Sequence, residues 1–238
     1  MFFPIKDDQP TIRTPHVTIA LILINSAVFL FTKSLGAQGY QAALIYYGYI
    51  PDFFLNSSSY VDAPKWLWAT PFTSMFLHGG WMHLIGNMLF LWIYGNNIED
   101  YFGPVRYLLF YLVSGLSAVA IYTLFNLGSQ VPMVGASGAI AGVMGAYYVL
   151  HPRANITVLI LFFFIMVREF PAKFVLGLWF LYQILMSAMD LGSGEGVAWL
   201  AHVGGFAFGY LLLKLLLKIR GGGRRIGMDD SRIYRVQW

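Results

Sequence analysis

Val197-Ala198-Trp199-Leu200-Ala201-His202-Val203-Gly204-Gly205-Phe206-Ala207-Phe208-Gly209-Tyr210-Leu211-Leu212-Leu213-Lys214-Leu215-Leu216-Leu217-Lys218-Ile219 decides the fold class. About 20 mostly apolar residues suffice for a helix to cross the hydrocarbon core of a bilayer. This run is long enough, and its basic residues gather at one end. A single imidazole, His202, stands in its first third. Ionisable groups inside a span are costly and usually serve a function, though a structural hydrogen bond to a neighbouring helix competes as an explanation. Gly205 and Gly209 are four apart, so this helix can approach another small-residue face closely.

Further runs of the same kind lie upstream. Spans are predicted at 17–34, 82–102, 105–127, 136–151 and 171–190, with 197–219 as the sixth. Gly103-Pro104, Pro132, Pro152 and Gly192–Gly196 separate them. The composition agrees: 58% of residues are hydrophobic and 11% charged, against about 25% charged in a soluble domain. Cysteine is absent, which removes disulfides and thiolate metal sites. The predicted architecture is all-α, a polytopic membrane protein of six transmembrane helices. Residues 1–16 form a cytoplasmic N-terminal segment, 17–219 the membrane domain, and 221–238 a basic cytoplasmic tail. Segment 35–80 is a long insertion whose Trp66, Trp68 and Phe72 suit the membrane interface.

Charge fixes the orientation. With the N-terminus inside, Lys6, Arg13, Arg106, Arg153, Arg168, Lys173 and the seven basic residues from Lys214 onward face the cytoplasm. Only Lys33 and Lys65 face outward, so the balance is 13 against 2, as the positive-inside rule expects. The apolar run 156–167 is too short to span and is predicted to be interfacial or re-entrant. A seventh span there would send the C-terminal cluster outside. The net charge of +4 marks a membrane flank rather than a nucleic-acid surface. The N-terminal apolar run lacks a clear signal-cleavage site and is read as a retained span. Short loops and the absence of a transit peptide point to a prokaryotic plasma membrane.

This topology gathers four polar groups at one depth. His83 and Asn87 are i, i+4 on one face near the start of the second span, and both can donate hydrogen bonds. Ser137, within Gly135-Ala136-Ser137-Gly138, opens the fourth span. A helix N-terminus offers free N–H groups and a dipole that stabilise an anion, as the tetrahedral intermediate of acyl transfer requires. Gly138, Gly142 and Gly145 also supply a small face for close packing, which is the competing reading of that motif. Packing of that face on Gly205 and Gly209 would bring His202 to Ser137. The eleven acids all map to tails, loops or span ends, so a Ser–His dyad with no third acidic member is predicted. His-Glu-x-x-His is missing and no span carries a pair of Asp, which excludes zinc and aspartyl protease chemistry. No metal or cofactor is expected.

At these residues the chain resembles the rhomboid family of intramembrane serine proteases. The resemblance rests on His78-Gly79-Gly80-Trp81-Met82-His83-Leu84-Ile85-Gly86-Asn87, then Gly135–Gly138, then Ala201–Gly205 with Gly209, in family order over about 70–219. It implies Ser137 as nucleophile, His202 as general base, and an oxyanion site from His83, Asn87 and the Ser137 backbone N–H. It further implies transmembrane protein substrates, cut near their outer ends, with membrane lipids as the other partner and no nucleic acid. Two departures stand out. Trp66 and Trp68 are each followed by an apolar residue where many members have Trp-Arg. Ala141 stands where some members place an aromatic against the histidine, so another group must orient His202. The alternative function is a rhomboid-like pseudoprotease that binds membrane proteins without cutting them; retention of both Ser137 and His202 argues against it. A transporter would show ionisable residues along a pathway or repeated halves, and neither is present. The oligomeric state is not legible.

Overall fold

The structure is a computed structural model that describes residues 2–59, 65–161, 164–190 and 198–221. The Gly192–Gly196 connection and the expected basic tail, including Arg224, Arg225, Arg232 and Arg235, lie outside them. The fold is a polytopic helical membrane fold, and each of the six expected spans coincides with a helix. These are α1 (His16–Ser34), α5 (Trp81–Phe102), α6 (Pro104–Phe125), α7 (Ser137–Leu150), α8 (Ala172–Asp190) and α9 (Trp199–Gly221). Of the described helices, α1, α6, α8 and α9 are long and apolar enough to cross a bilayer on their own composition. The other two differ for physical reasons. α5 is 22 residues long but carries His83, Asn87, Asn96, Asn97, Glu99 and Asp100. α7 has 14 residues and a length of about 21 Å. It is almost wholly buried, so its surroundings are protein and it has no need of full bilayer length.

The connections explain the boundaries. Gly103, at φ 75°, reverses the chain between α5 and α6, and Pro104 at the first helical position starts α6 with its φ already set. The insertion after α1 is a helical cap: α2 (Gly36–Tyr47), the short α3 (Pro51–Leu55) and α4 (Thr70–Thr73), and 3-10 turns. It packs on the strip that leads into α7. Tyr49 and Met133 form an antiparallel bridge, and the Gly135 N–H donates to the Ser74 carbonyl at 2.9 Å. Trp66 and Trp68 are exposed.

At the opposite end of α7 the chain forms a three-stranded antiparallel sheet that the sequence reading did not contain. Strand β1 (Phe2–Asp7) pairs with β2 (Asn155–Leu161), which pairs with β3 (Ile165–Pro171). The apolar run beyond Pro152 is therefore a hairpin: it does not span, and it is not helical. Alternation supplies the reason, since Ile156 and Val158 are fully buried on one face while their neighbours are not. Pro4 is tolerated because β1 is an edge strand, with a register shift between Pro4 and Lys6. The Asp7 carboxylate is buried and accepts from Tyr147 Oη at 2.6 Å and Asn97 Nδ2 at 2.8 Å. Burial pushes its pKa up to about 6 against the lowering pull of the Tyr147 hydroxyl. Glu99 is also buried. It accepts from the Val17 and Thr18 N–H groups and the Thr18 hydroxyl, each at 2.8 Å, and so caps the first turn of α1.

Candidate active site

Small residues bring the two central side chains together. A methyl group on Gly205 would collide with the carbonyl of Gly138, and one on Gly209 with the carbonyl of Gly142. Gly145 is similarly closed off by the Phe206 carbonyl. The backbones of α7 and α9 are therefore in direct contact, with no side chain between them. Across this seam His202 Nε2 lies 2.8 Å from Ser137 Oγ. His202 is buried and Ser137 half-buried.

Ser137 owes its direction to the turn before it. Gly135 has φ +123°, a conformation that L side chains rarely adopt, and a methyl there would lie 2.6 Å from His83 Nε2. Ser137 is the first residue of α7, so its own N–H has no partner inside the helix. His83 and Asn87 approach the same turn from α5. The Gly79 N–H donates to His83 Nδ1 at 3.3 Å, which leaves the proton on Nε2, the nitrogen facing Gly135. Asn87 Nδ2 is buried, lacks a hydrogen-bond partner among the described residues, and would lie 3.6 Å from that same methyl. Three donors thus lie at or beside the turn that carries the Ser137 hydroxyl, itself hydrogen-bonded to an imidazole. Such a set can pass the hydroxyl proton to the imidazole and receive the negative charge that develops on an attacked carbonyl.

The rhomboid domain model matches residues 65–219, well over half of the sequence. The chain belongs to the rhomboid family. Among similar proteins, RHOMBOID-like protein 4 of Arabidopsis thaliana is 38% identical over 150 residues, covering 59% of this chain and 32% of that protein. Rhomboid protease GluP of Bacillus subtilis (strain 168) is 31% identical over 132 residues, covering 56% and 24%. Rhomboid-like protein 11, chloroplastic, of Arabidopsis thaliana is 26% identical over 219 residues, covering 90% and 70%. The chain spans about a third of the length of the first of these relatives.

All four residues singled out from sequence lie around this turn: Ser137 and His202 in contact, His83 and Asn87 beside the preceding Gly135. A small cavity with room for about one water molecule adjoins Ser137 and is lined also by Ser74, Gly135, Ala198 and Ala201. His83, Asn87 and His202 do not line it. Glu99 and Asp100 lie at the far end of α5, about 24 Å along the helix from His83. One contact was not foreseen. His202 Nδ1 lies 2.8 Å from Gln183 Oε1 on α8. A single amide in an otherwise apolar span was the signal available. Ala141 packs against Gly205 and leaves the ring of His202 to other neighbours. Trp179 and Trp199 flank it, with ring centres 5.9 and 6.3 Å away.

Proposed function

We propose that this rhomboid is an intramembrane serine endopeptidase that hydrolyses peptide bonds of transmembrane proteins near the outer membrane face. The observation that carries the reading is the 2.8 Å contact between Ser137 Oγ and His202 Nε2, set across two touching backbones. Ser137 attacks the scissile carbonyl as its proton passes to His202 Nε2. The oxyanion is held by the Ser137 N–H, His83 Nε2–H and the Asn87 amide. His202 then donates to the leaving amine, and water hydrolyses the acyl-enzyme with the same imidazole as base.

In this reading α1, α5, α6, α7, α8 and α9 are six spans, with residues 1–16 and 221–238 cytoplasmic. Lys6, Arg13, Arg106, Arg153, Arg168 and Lys173 all lie near one end of the bundle, and Ser137 lies near the other. The active end therefore faces outward. A helical substrate enters sideways and unwinds, because helical amides are already hydrogen-bonded. We assign α8 as the gate. It packs less extensively on the bundle than α9 does, and it is closed by aromatic side chains: Phe180 stacks on Phe206 at 4.4 Å, and Tyr182 meets Trp199 edge-on at 5.6 Å. The similar proteins include ones named as mitochondrial and chloroplastic beside the bacterial GluP. Kinship supports a membrane location without selecting the prokaryotic plasma membrane.

The test is incubation of purified protein with a single-span model substrate, wild type beside Ser137→Ala, His202→Ala and the double variant. Each single variant should abolish cleavage, and the double should be no worse, because the pair acts as a unit. Cleavage that survives Ser137→Ala in a contaminant-free preparation overturns the assignment. A wild type that binds the substrate without cutting it favours the pseudoprotease reading instead.

A further inference from the structure

We propose that Gln183 of α8 is a positioning residue: its amide oxygen holds His202 in the tautomer with the proton on Nδ1, so that Nε2 is free to accept from Ser137. The inference rests on the hydrolytic reading above.

A neutral imidazole can carry its proton on either ring nitrogen, and the bond made by one nitrogen sets the state of the other. Here both nitrogens are engaged, each at 2.8 Å: Nδ1 with Gln183 Oε1 and Nε2 with Ser137 Oγ. An amide oxygen can only accept, so Nδ1 must carry the hydrogen. Nε2 then presents its lone pair to the serine hydroxyl, as a general base requires. With the opposite tautomer the ring would donate to Ser137 and could not take its proton. The two bonds lie on opposite sides of the ring and also fix its rotation.

Gln183 is placed for this work. It lies on the buried stripe of α8 formed by Ala172, Val175, Leu176, Gln183 and Ser187. The residue is 2% exposed, so its amide is committed to partners inside the protein. A neutral amide also suits the medium. In soluble triads a carboxylate holds the imidazole, and its replacement by an amide that imposes the wrong tautomer costs on the order of 10⁴ in kcat. A carboxylate within the membrane would be costly whenever the imidazole is neutral. An amide oxygen selects the same tautomer without burying a charge.

The variants Gln183→Met and Gln183→Glu separate this role from simple packing. Met keeps the length and most of the volume of the side chain but removes the acceptor, whereas Glu keeps an acceptor oxygen at the same reach. With a peptide substrate, Gln183→Met should lower kcat by about 10²-fold with KM little changed, and Gln183→Glu should regain activity as pH rises and its carboxyl ionises to an acceptor. Nitrogen NMR of the ¹⁵N-histidine-labelled protein, with His202→Ala for assignment, should show the His202 proton on Nδ1 in the wild type. In Gln183→Met it should be shared between the nitrogens or moved to Nε2. The proposal is overturned if Gln183→Met keeps the Nδ1 proton and full kcat, or if the Glu and Met variants share one pH profile. An inactive wild type would sink the hydrolytic reading instead, and the NMR comparison would still decide the role of Gln183.

Discussion

Replacing Gly209 with alanine probes the seam that joins the two halves of the site. The added Cβ would lie 2.6 Å from the Gly142 carbonyl carbon and 2.8 Å from its Cα, where nonbonded carbons prefer about 3.5–4.0 Å. Both neighbours are helix backbone and cannot rotate away, so α9 must recede from α7 by about 1 Å at this level. His202 is seven residues upstream, about 10 Å along the same helix, and moves with it. A displacement of about 1 Å in a reacting group can cost on the order of 10² in rate, and overpacking a close contact costs about 1–3 kcal/mol of stability. Gly209→Ala should therefore lower both the melting temperature in detergent and kcat, with kcat about 10²-fold down. Gly86→Ala is the control. Nothing lies within 4 Å of a methyl at Gly86 on α5, and alanine there should be neutral or slightly stabilising. Both quantities are read on one preparation, by thermal unfolding and by cleavage of a peptide substrate. If Gly209→Ala keeps wild-type melting and kcat, the backbone seam does not set the geometry of the site.

Other outcomes follow from the same structure. His83→Ala and Asn87→Ala should each reduce kcat by about 10²–10³-fold while melting changes little; unaltered kcat in both would make these side chains structural. Phe180→Ala, which removes the stack on Phe206, should speed cleavage of a transmembrane substrate and leave a short soluble peptide unaffected. Equal effects on the two substrates would rule α8 out as the gate. Phe180 is the cleaner probe, because Trp179 also borders His202. Asp7 gives a pH dependence. Its folded pKa, about 6, exceeds the ordinary 3.8, so between these values the folded state binds the extra proton. Its stabilising share is full below pH 4 and fades as pH rises through 6, by roughly 3 kcal/mol. The stability of wild type relative to Asp7→Asn should decline over that range, and a flat difference would contradict the burial of this carboxylate.

The helices were legible because lipid demands long apolar runs and because Gly103-Pro104 and Pro152 punctuate them. The meeting of α7 and α9 was legible as well, since Gly138, Gly142 and Gly145 on one helix answer Gly205 and Gly209 on the other. The sheet was not. Residues 155–161 look like any apolar segment until β1 is brought beside them, and the partner is about 150 residues away. Glu99 gave no sign that it would cap α1, for the same reason: the recipient N–H groups are some 80 residues upstream. Gln183 was missed differently. Its polarity was visible, but nothing local says which nitrogen of which histidine it will face.

The sheet has a consequence for how the molecule is made. Strand β1 has to wait for its partner, because β2 emerges only after about 150 further residues. At about 5–20 residues per second the ribosome needs roughly 10–30 s to supply that partner. Phe2 and Ile5 stay exposed even in the paired strand. Its own composition keeps it from recruiting a neighbour, since Pro4 removes a donor and Lys6, Asp7 and Asp8 discourage stacking with like strands. When β2 arrives, Asp7 reaches Asn97 and Tyr147, and Asp8 takes the Asn155 N–H and side-chain amide at 2.9 and 2.8 Å. Strand β1 is thus a latch, since its Asp7 can bond both partners only once α5 and α7 have found one another.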